Sequence, residues 1–213
     1  MAVTKNTSAI KNPPKHLLGI QNLSIQEAKK ILEEKKINEV AQYIKDNALF
    51  WSVAYEDEKK IDSINIRNAT YNAMHKAIKS IINYDSSNNN LDKFPNEKYY
   101  LLVDGNEFKT YTYLNSSNNM IQQINHVMVT GGDNKYCSIA AASILAKVER
   151  DKYIKEICEK YKKLSEFYNL DKNKGYGTSA HLDGIKNYGI SPWHRTTYGL
   201  CKHAKINNED FYL

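Results

Sequence analysis

Two aspartates in this sequence lie beside glycine at the ends of predicted strands. Asp104 ends the run Y-Y-L-L-V-D and precedes Gly105, and Asp133 follows the pair G-G at 131–132. Because α/β proteins place their sites at the carboxyl ends of neighbouring strands, these two side chains are expected to come together. Carboxylate oxygens bind divalent cations, and in phosphodiester hydrolysis such a cation activates water and stabilises the leaving oxygen. The pair therefore indicates a metal-assisted hydrolytic site.

Each aspartate also has a structural explanation. Asp-Gly is a favoured pair in tight turns, so Asp104 with Gly105 is equally consistent with a hairpin. Asp133 lies between a predicted strand and a predicted helix, where aspartate commonly forms a turn or begins the helix. On the residues alone both alternatives stay open. The other acidic side chains of this part of the chain are typical of a solvated surface: Glu107, Glu149 and Asp151.

A third candidate is the stretch K-G-Y-G-T at 174–178, which places Tyr176 between two glycines. Glycine permits a close backbone approach to a ligand, and a tyrosine there can stack on a sugar or base and hydrogen-bond a 2′-hydroxyl. The alternative is a turn that carries a half-buried tyrosine. His181 and His194 follow, and single histidines of this kind are more often structural than catalytic.

The stretch at 138–151, S-I-A-A-A-S-I-L-A-K-V-E-R-D, is the element around which the other predicted elements are arranged. Ala, Leu and Lys favour helix, and neither Gly nor Pro interrupts the run. The small residues of the first half allow close packing, whereas Lys147 and Arg150 introduce charge that continues through Lys163. Lys147 and Arg150 can contact phosphates. An ordinary amphipathic helix with a solvated second half explains the same pattern.

The remaining predicted elements alternate between strand and helix, which predicts an α/β fold. Aromatic and β-branched residues predict strands, and the near-continuous apolar run ending at Asp104 is typical of a strand buried on both faces. The strands are predicted at 49–55, 99–104 and 124–130. Helices are predicted from the capping box S-I-Q-E at 24–27, at 64–82, from about 138 to 163 and at 179–187. Polar and turn-forming residues predict loops at 85–97, 115–119 and 171–177.

Length, charge and cysteine content indicate the broad class of protein to which this sequence belongs. The chain has 213 residues and a formal net charge of +6. This length fits one domain with a sizeable core, and the charge is compatible with a polyanionic partner. The three cysteines show no metal-binding spacing, and their odd number argues against a disulfide scaffold. The longest apolar run, at 139–146, is too short to cross a membrane, so we expect a soluble, cytoplasmic protein with no membrane partner.

In this order the motifs resemble ribonuclease HII, the type 2 ribonuclease H, over about residues 48–195. The matching stretches are V-D-G-N at 103–106, G-D at 132–133, the run at 138–151, K-G-Y-G-T-x-x-H at 174–181 and S-P-x-H-R at 191–195. The stretch I-D-S-I-N-I-R-N-A-T at 61–70 is also similar to the family segment that precedes its first long helix.

This resemblance implies a ribonuclease H-like mixed sheet flanked by helices in residues 23–213, after an irregular segment at 1–22 and with a C-terminal helical part from about 152. It implies an endoribonuclease that cleaves RNA in RNA–DNA hybrids, and single ribonucleotides embedded in duplex DNA, at the phosphate 5′ of the ribonucleotide. The family uses Mg²⁺ or Mn²⁺ held by four carboxylates, of which Asp104 and Asp133 are two. Tyr176 matches the tyrosine that senses the 2′-hydroxyl, and Lys147 matches a lysine beside the nucleic-acid backbone.

The N-terminus departs from the family pattern. The family opens with a strand carrying D-E-x-G-R-G, which supplies the other two carboxylates, whereas here no acidic residue precedes Glu27 and G-R-G occurs nowhere. We therefore expect the first strand to be missing or replaced, which would leave sheet edges that need covering. Three alternatives follow: an endoribonuclease, with a partner segment supplying the strand where needed; a relative that only binds hybrid nucleic acid; or a truncated chain.

Overall fold

A computed structural model of the chain describes residues 34–89, 99–115 and 119–211. The elements in chain order are α1 (Glu34–Asn47), α2 (Glu58–Asn89), β1 (Tyr100–Asp104), β2 (Thr112–Asn115), β3 (Met120–Gln123), β4 (Asn125–Val129), α3 (Cys137–Lys160), α4 (Lys163–Tyr168), α5 (Leu170–Asn173) and α6 (Ser179–Tyr188). Two 3₁₀ turns lie at Gly132–Asn134 and Gly199–His203. Contacts divide the chain into a first unit, 1–54 with 71–148, and a second unit, 55–70 with 149–213.

In the first unit β1 and β4 form a parallel pair in which Tyr100 lies opposite Asn125 and Asp104 opposite Val129. Both strands were predicted from their β-branched and aromatic residues, and both are observed. The expectation that β1 is buried on both faces is wrong, because its side chains alternate. Leu101 and Val103 are buried, whereas Tyr100 is 56% exposed. One face of β1 therefore packs on the core.

The core of the first unit joins the second half of α2 to β1 and to the residues that flank a β-hairpin. Its buried members are Ile78, Ile81, Ile82, Tyr99, Leu101, Val103, Tyr111 and Ile124. The hairpin pairs β2 with β3 in antiparallel register, with Thr112 opposite Gln123 and Asn115 opposite Met120. Strands β2 and β3 were not predicted from the sequence. Their apolar side chains Leu114, Met120 and Ile121 are more than half exposed, whereas Tyr113 of β2 packs against the core. The hairpin is therefore held by its own hydrogen-bond ladder and by this core contact.

Two predictions about the first half of the chain were wrong or incomplete, and a third stays a prediction. No strand forms at 49–55, where the backbone of the described residues is irregular and Trp51 is 40% exposed. No described strand pairs with this stretch, and without a partner its β-branched residues have no ladder to join. The predicted loop at 85–97 begins too early, because α2 continues to Asn89. The predicted helix start at 24–27 lies outside the described residues.

Helix α2 consists of two helical segments that meet at Asn65, whose φ of 66° and ψ of 162° are not helical. The Asn65 side chain accepts a hydrogen bond from the amide of Asn68 at 3.1 Å, as a helix-capping residue does. The helix predicted at 64–82 therefore matches the second segment. The first segment, from Glu58, was not predicted.

The second unit packs α4, α5 and α6 around a core of Ile157, Cys158, Leu164, Tyr168, Leu170, Ile185, Ile190 and Phe211. Helix α6 was predicted at 179–187 and is observed almost unchanged, with Thr178 as its N-cap. It lies close to α4 because Gly184 has no side chain: a Cβ there would lie 2.1 Å from the carbonyl oxygen of Phe167. The predicted loop at 171–177 is correct only from Lys174 onward, since α5 extends to Asn173. Cys137, Cys158 and Cys201 are all free thiols.

Candidate functional site

Asp104 and Asp133 lie at one edge of the parallel pair. Asp104 is the last residue of β1, and its Oδ1 accepts a hydrogen bond of 2.8 Å from the amide of Gly132. Asp133 is the next residue along the chain, so its Cα is ~3.8 Å from that of Gly132. The structure thus brings together the two aspartates that the sequence analysis singled out. Asp104 is exposed and Asp133 is half-buried.

Gly132 makes this arrangement possible by its size. A Cβ on Gly132 would lie 2.6 Å from Cδ1 of Ile139 and 3.3 Å from Oδ1 of Asp104. The first distance is below any normal carbon–carbon approach, so an alanine at 132 would force the buried Ile139 side chain or the 132–134 turn to shift. The glycine before Asp133 therefore lets the turn lie close enough for the amide of residue 132 to reach the carboxylate of Asp104.

The two carboxylates suit a hard divalent cation. Mg²⁺ commonly binds one or two protein carboxylates and completes its coordination with water and substrate phosphate oxygens. A carboxylate has about four acceptor positions, so the one hydrogen bond from Gly132 leaves Asp104 with capacity to bind a cation. Within residues 34–89, 99–115 and 119–211, no cluster of three or more His, Cys, Asp or Glu side chains is arranged to hold a metal ion. The donors at this edge are thus two aspartates rather than a larger protein shell.

Tyr176 lies in the second unit, in the loop between α5 and α6. Its side chain is 69% exposed, so the alternative of a half-buried tyrosine is wrong. The guanidinium carbon of Arg150 lies 5.4 Å from the centre of the Tyr176 ring. Arg150 Nη2 also donates a hydrogen bond of 2.7 Å to the carbonyl oxygen of Lys174. Arg150 therefore holds both the ring and the backbone of this loop, a role that its sequence position did not reveal.

A buried pair of histidines lies beneath the same loop. His181 Nδ1 is 3.0 Å from the carbonyl oxygen of Tyr176, and His181 Nε2 is 2.9 Å from His194 Nε2. Both rings are more than nine-tenths buried. Burial, reinforced by His181, lowers the pKa of His194 from 6.5 to about 4. From the sequence these histidines were assigned a structural role as single residues, and their contact was not predicted, because a separation of 13 positions gives no periodic signal.

Lys147, the remaining predicted site residue, is exposed on α3 in the first unit. Its ammonium group is accessible to solvent, as a phosphate contact requires. Its assignment to the nucleic-acid backbone stays a prediction, as do the metal-binding roles of Asp104 and Asp133 and the 2′-hydroxyl contact of Tyr176.

The sequence of this chain is similar to known proteins over most of its length. The sequence model of the family described as Ribonuclease HII matches residues 8–201. The chain belongs to the ribonuclease HII family. The family's members are RNA–DNA hybrid endoribonucleases that depend on divalent metal ions, and the predicted ribonuclease H-like α/β fold is confirmed. The match also includes the N-terminal segment, in which the expected acidic motif is absent.

Individual relatives are similar to this chain over most of its length. The ribonuclease HII of Phocaeicola vulgatus is 36% identical over 183 residues, which cover 86% of this chain and 77% of the relative. The ribonuclease HII of Bacteroides thetaiotaomicron is 37% identical over 178 residues, covering 84% and 76% respectively. The ribonuclease HII of Cytophaga hutchinsonii is 36% identical over 205 residues, covering 96% and 84%. As for membranes, the described part of the chain contains no helix with the length and apolar character to cross one.

Proposed function

We propose that this chain is an endoribonuclease that cleaves RNA within RNA–DNA duplexes, including single ribonucleotides embedded in duplex DNA. The observation that supports the proposal is the hydrogen bond from the Gly132 amide to Asp104, which holds the turn that carries Asp133 against the end of β1. When bound there, Mg²⁺ or Mn²⁺ would supply the activation of water and the stabilisation of the leaving oxygen. The net charge of +6 suits a polyanionic substrate.

The protein's own groups have separate roles in this proposal. Asp104 and Asp133 provide oxygen ligands whose positions are set by β1 and by the 132–134 turn, so they need little rearrangement when substrate arrives. The exposed hydroxyl of Tyr176 donates to or accepts from the 2′-hydroxyl of the ribonucleotide, which is the group that distinguishes RNA from DNA. The ammonium of Lys147 contacts a phosphate of the backbone, which positions the duplex without reading its sequence.

A second candidate is a protein that binds hybrid nucleic acid without cleaving it. It is favoured by one observation: within the described residues no group of three or more His, Cys, Asp or Glu side chains is arranged to hold a metal ion, whereas the family pattern has four carboxylates. This candidate keeps the tyrosine loop and the basic charge but lacks turnover. The predicted partner segment that would supply the other carboxylates remains a prediction, and cleavage by the chain alone would make it unnecessary.

The deciding experiment uses a DNA duplex with one ribonucleotide, incubated with the purified chain in Mg²⁺ or Mn²⁺. We expect cleavage 5′ of the ribonucleotide, and its loss in Asp104→Asn, because the amide carries no charge to hold the cation. Asp183→Asn is the matched control, since Asp183 is an exposed aspartate on α6 that bonds Ser179 and Lys186; it should cleave normally. If the folded chain binds the duplex in a salt-dependent manner but does not cut it, the second candidate replaces the first.

A further inference from the structure

Four polar groups in the second unit form one continuous hydrogen-bonded chain that ends at Tyr176. The amide of Ser191 lies 3.1 Å from His194 Nδ1, and the Ser191 hydroxyl lies 2.7 Å from the same nitrogen. His194 Nε2 lies 2.9 Å from His181 Nε2, and His181 Nδ1 lies 3.0 Å from the carbonyl oxygen of Tyr176. The chain thus runs from the S-P-x-H-R turn to the backbone of the exposed tyrosine.

The protons of this chain can be assigned from its two ends. The Ser191 amide can only donate, so His194 Nδ1 carries no hydrogen and the neutral His194 ring must carry its hydrogen on Nε2. His194 therefore donates to His181 Nε2, which leaves the hydrogen of neutral His181 on Nδ1. The Tyr176 carbonyl can only accept, so it requires a hydrogen at that same Nδ1. The Ser191 amide at one end and the Tyr176 carbonyl at the other therefore require the same pair of histidine tautomers.

This arrangement tolerates no positive charge on either ring. Protonation of His181 would place a hydrogen on both Nε2 atoms, which are 2.9 Å apart. Protonation of His194 would place a hydrogen on Nδ1, which faces the hydrogen of the Ser191 amide at 3.1 Å. The surroundings do not offset such a charge: Ser191 is 1% exposed, and the Tyr168 ring packs on His194 at 4.6 Å between centroids. The Tyr168 hydroxyl donates to the carbonyl oxygen of Gly189 and is not directed at the histidines. The pair is therefore held in its neutral, directional form.

The hydrogen-bonded series ends at the backbone of Tyr176, whose side chain has a role in the proposed function. The Tyr176 carbonyl receives hydrogen bonds from His181 and from the amide of Thr178, and the loop before it is held by the amide of Gly175, which donates to Asn173 Oδ1. Arg150 lies over the exposed ring. The backbone of Tyr176 is thus fixed from within the protein, while only its ring is open to substrate.

We propose that His181 and His194 are positioning residues that set the orientation of Tyr176 through its carbonyl group. The inference rests on the proposed function of Tyr176 in contacting the 2′-hydroxyl. It assigns the paired histidines of K-G-Y-G-T-x-x-H and S-P-x-H-R a shared role, in which the second histidine fixes the tautomer of the first and the first fixes the tyrosine loop.

The kinetic test is a double-mutant cycle with Tyr176→Ala and His181→Phe, measured as kcat/KM on the duplex with one ribonucleotide. Phe keeps the aromatic volume but forms no hydrogen bond. If His181 acts through Tyr176, His181→Phe lowers kcat/KM about tenfold in the wild-type background and leaves it nearly unchanged in Tyr176→Ala. Equal losses in both backgrounds would overturn the proposal. His181→Asn, which retains a donor near the position of Nδ1, should recover part of the loss.

A second measurement does not depend on cleavage. Two-dimensional ¹H–¹⁵N NMR of the imidazole rings at pH 7 should show both rings neutral, with the hydrogen of His181 on Nδ1 and that of His194 on Nε2. The Tyr176 ring resonances should shift in His181→Phe and stay in place in His203→Phe, which alters an exposed histidine of the same unit. A charged ring, the opposite tautomer or an unmoved Tyr176 would refute the proposal. If wild-type protein does not cleave, the proposed function fails, and NMR still decides the positioning role.

Discussion

The buried histidine pair predicts how the stability of this protein depends on pH. Unfolded His194 titrates near its ordinary pKa of 6.5, whereas burial and His181 lower its pKa to about 4 in the folded chain. Between these values the unfolded chain binds a proton that the folded chain does not. The stabilising contribution of His194 is therefore fully present above pH 6.5, and it is lost as the pH falls towards 4.

The size of this effect follows from the shift. Each pKa unit corresponds to about 1.4 kcal/mol, so His194 contributes about 3 kcal/mol to the pH dependence of unfolding between pH 6.5 and 4. Two carboxylates with shifted pKa act at lower pH. Asp62 and Asp210 have pKa values below 3.8, so their stabilising contributions are complete above that value and are lost only as the pH falls further. Between pH 6.5 and 4.5 the change in the free energy of unfolding thus reports mainly on histidine.

Urea unfolding at half-unit pH steps across this window would measure the effect. Trp193 is a suitable reporter, because it packs on Tyr161 and Phe211 in the same core, and Trp51→Phe would remove the other tryptophan signal. Replacing His194 with Gln should flatten the curve between pH 6.5 and 4.5, whereas His203→Gln should leave its slope unchanged. Parallel curves for the wild type and His194→Gln would show that His194 is not held neutral by folding.

Three further predictions concern side chains outside this pair. Gly132→Ala should lower the free energy of unfolding by about 1–3 kcal/mol, because its Cβ would meet a buried isoleucine at 2.6 Å; Gly177→Ala, whose nearest contact is 3.9 Å, should not, and thermal denaturation compares the two. Asp62→Asn should destabilise the second unit above pH 4, since partial burial raises the pKa of Asp62 but hydrogen bonds from two threonines lower it overall; equal melting temperatures would contradict this. Arg150→Lys should weaken duplex binding through Tyr176, because Lys lacks the planar group that stacks on the ring, and anisotropy titrations would show no change if the stacking is incidental.

The central elements were predictable because their residues carry local signals. The strand ending at Asp104 is an apolar run before Asp104-Gly105, the strand ending at Val129 has two valines shortly before the pair Gly131-Gly132, and α6 has a capping threonine and a terminal glycine. The wrong strand at 49–55 has the same composition, but no strand among the described residues pairs with it. Composition shows the preference of a stretch for the strand conformation, whereas a hydrogen-bond ladder also depends on a partner strand that is distant in sequence.

The candidate site likewise has features that could be predicted from the sequence and contacts that could not. Asp104 and Asp133 were expected to lie close together because the first ends a strand, the second follows a strand, and parallel strands place their carboxyl ends together. The hydrogen bond that holds the 132–134 turn against Asp104 is donated by the Gly132 amide, and a backbone donor leaves no trace in residue types. The contacts of Arg150 with Tyr176 and of His181 with His194 link positions separated by turns, so neither helical nor strand spacing could reveal them.

The break at Asn65 makes the two segments of α2 independent in rotational phase. In a continuous helix, inserting one residue rotates everything beyond it by about 100°. Because Asn65 leaves helical geometry and caps a new start, an insertion before it does not carry into the segment that buries Ile78 and Ile81. The same insertion after Asn65 would turn that apolar face away from β1. A change of length before Asn65 thus leaves the rotational phase of the second segment unchanged, while that segment is tied to the core residue by residue.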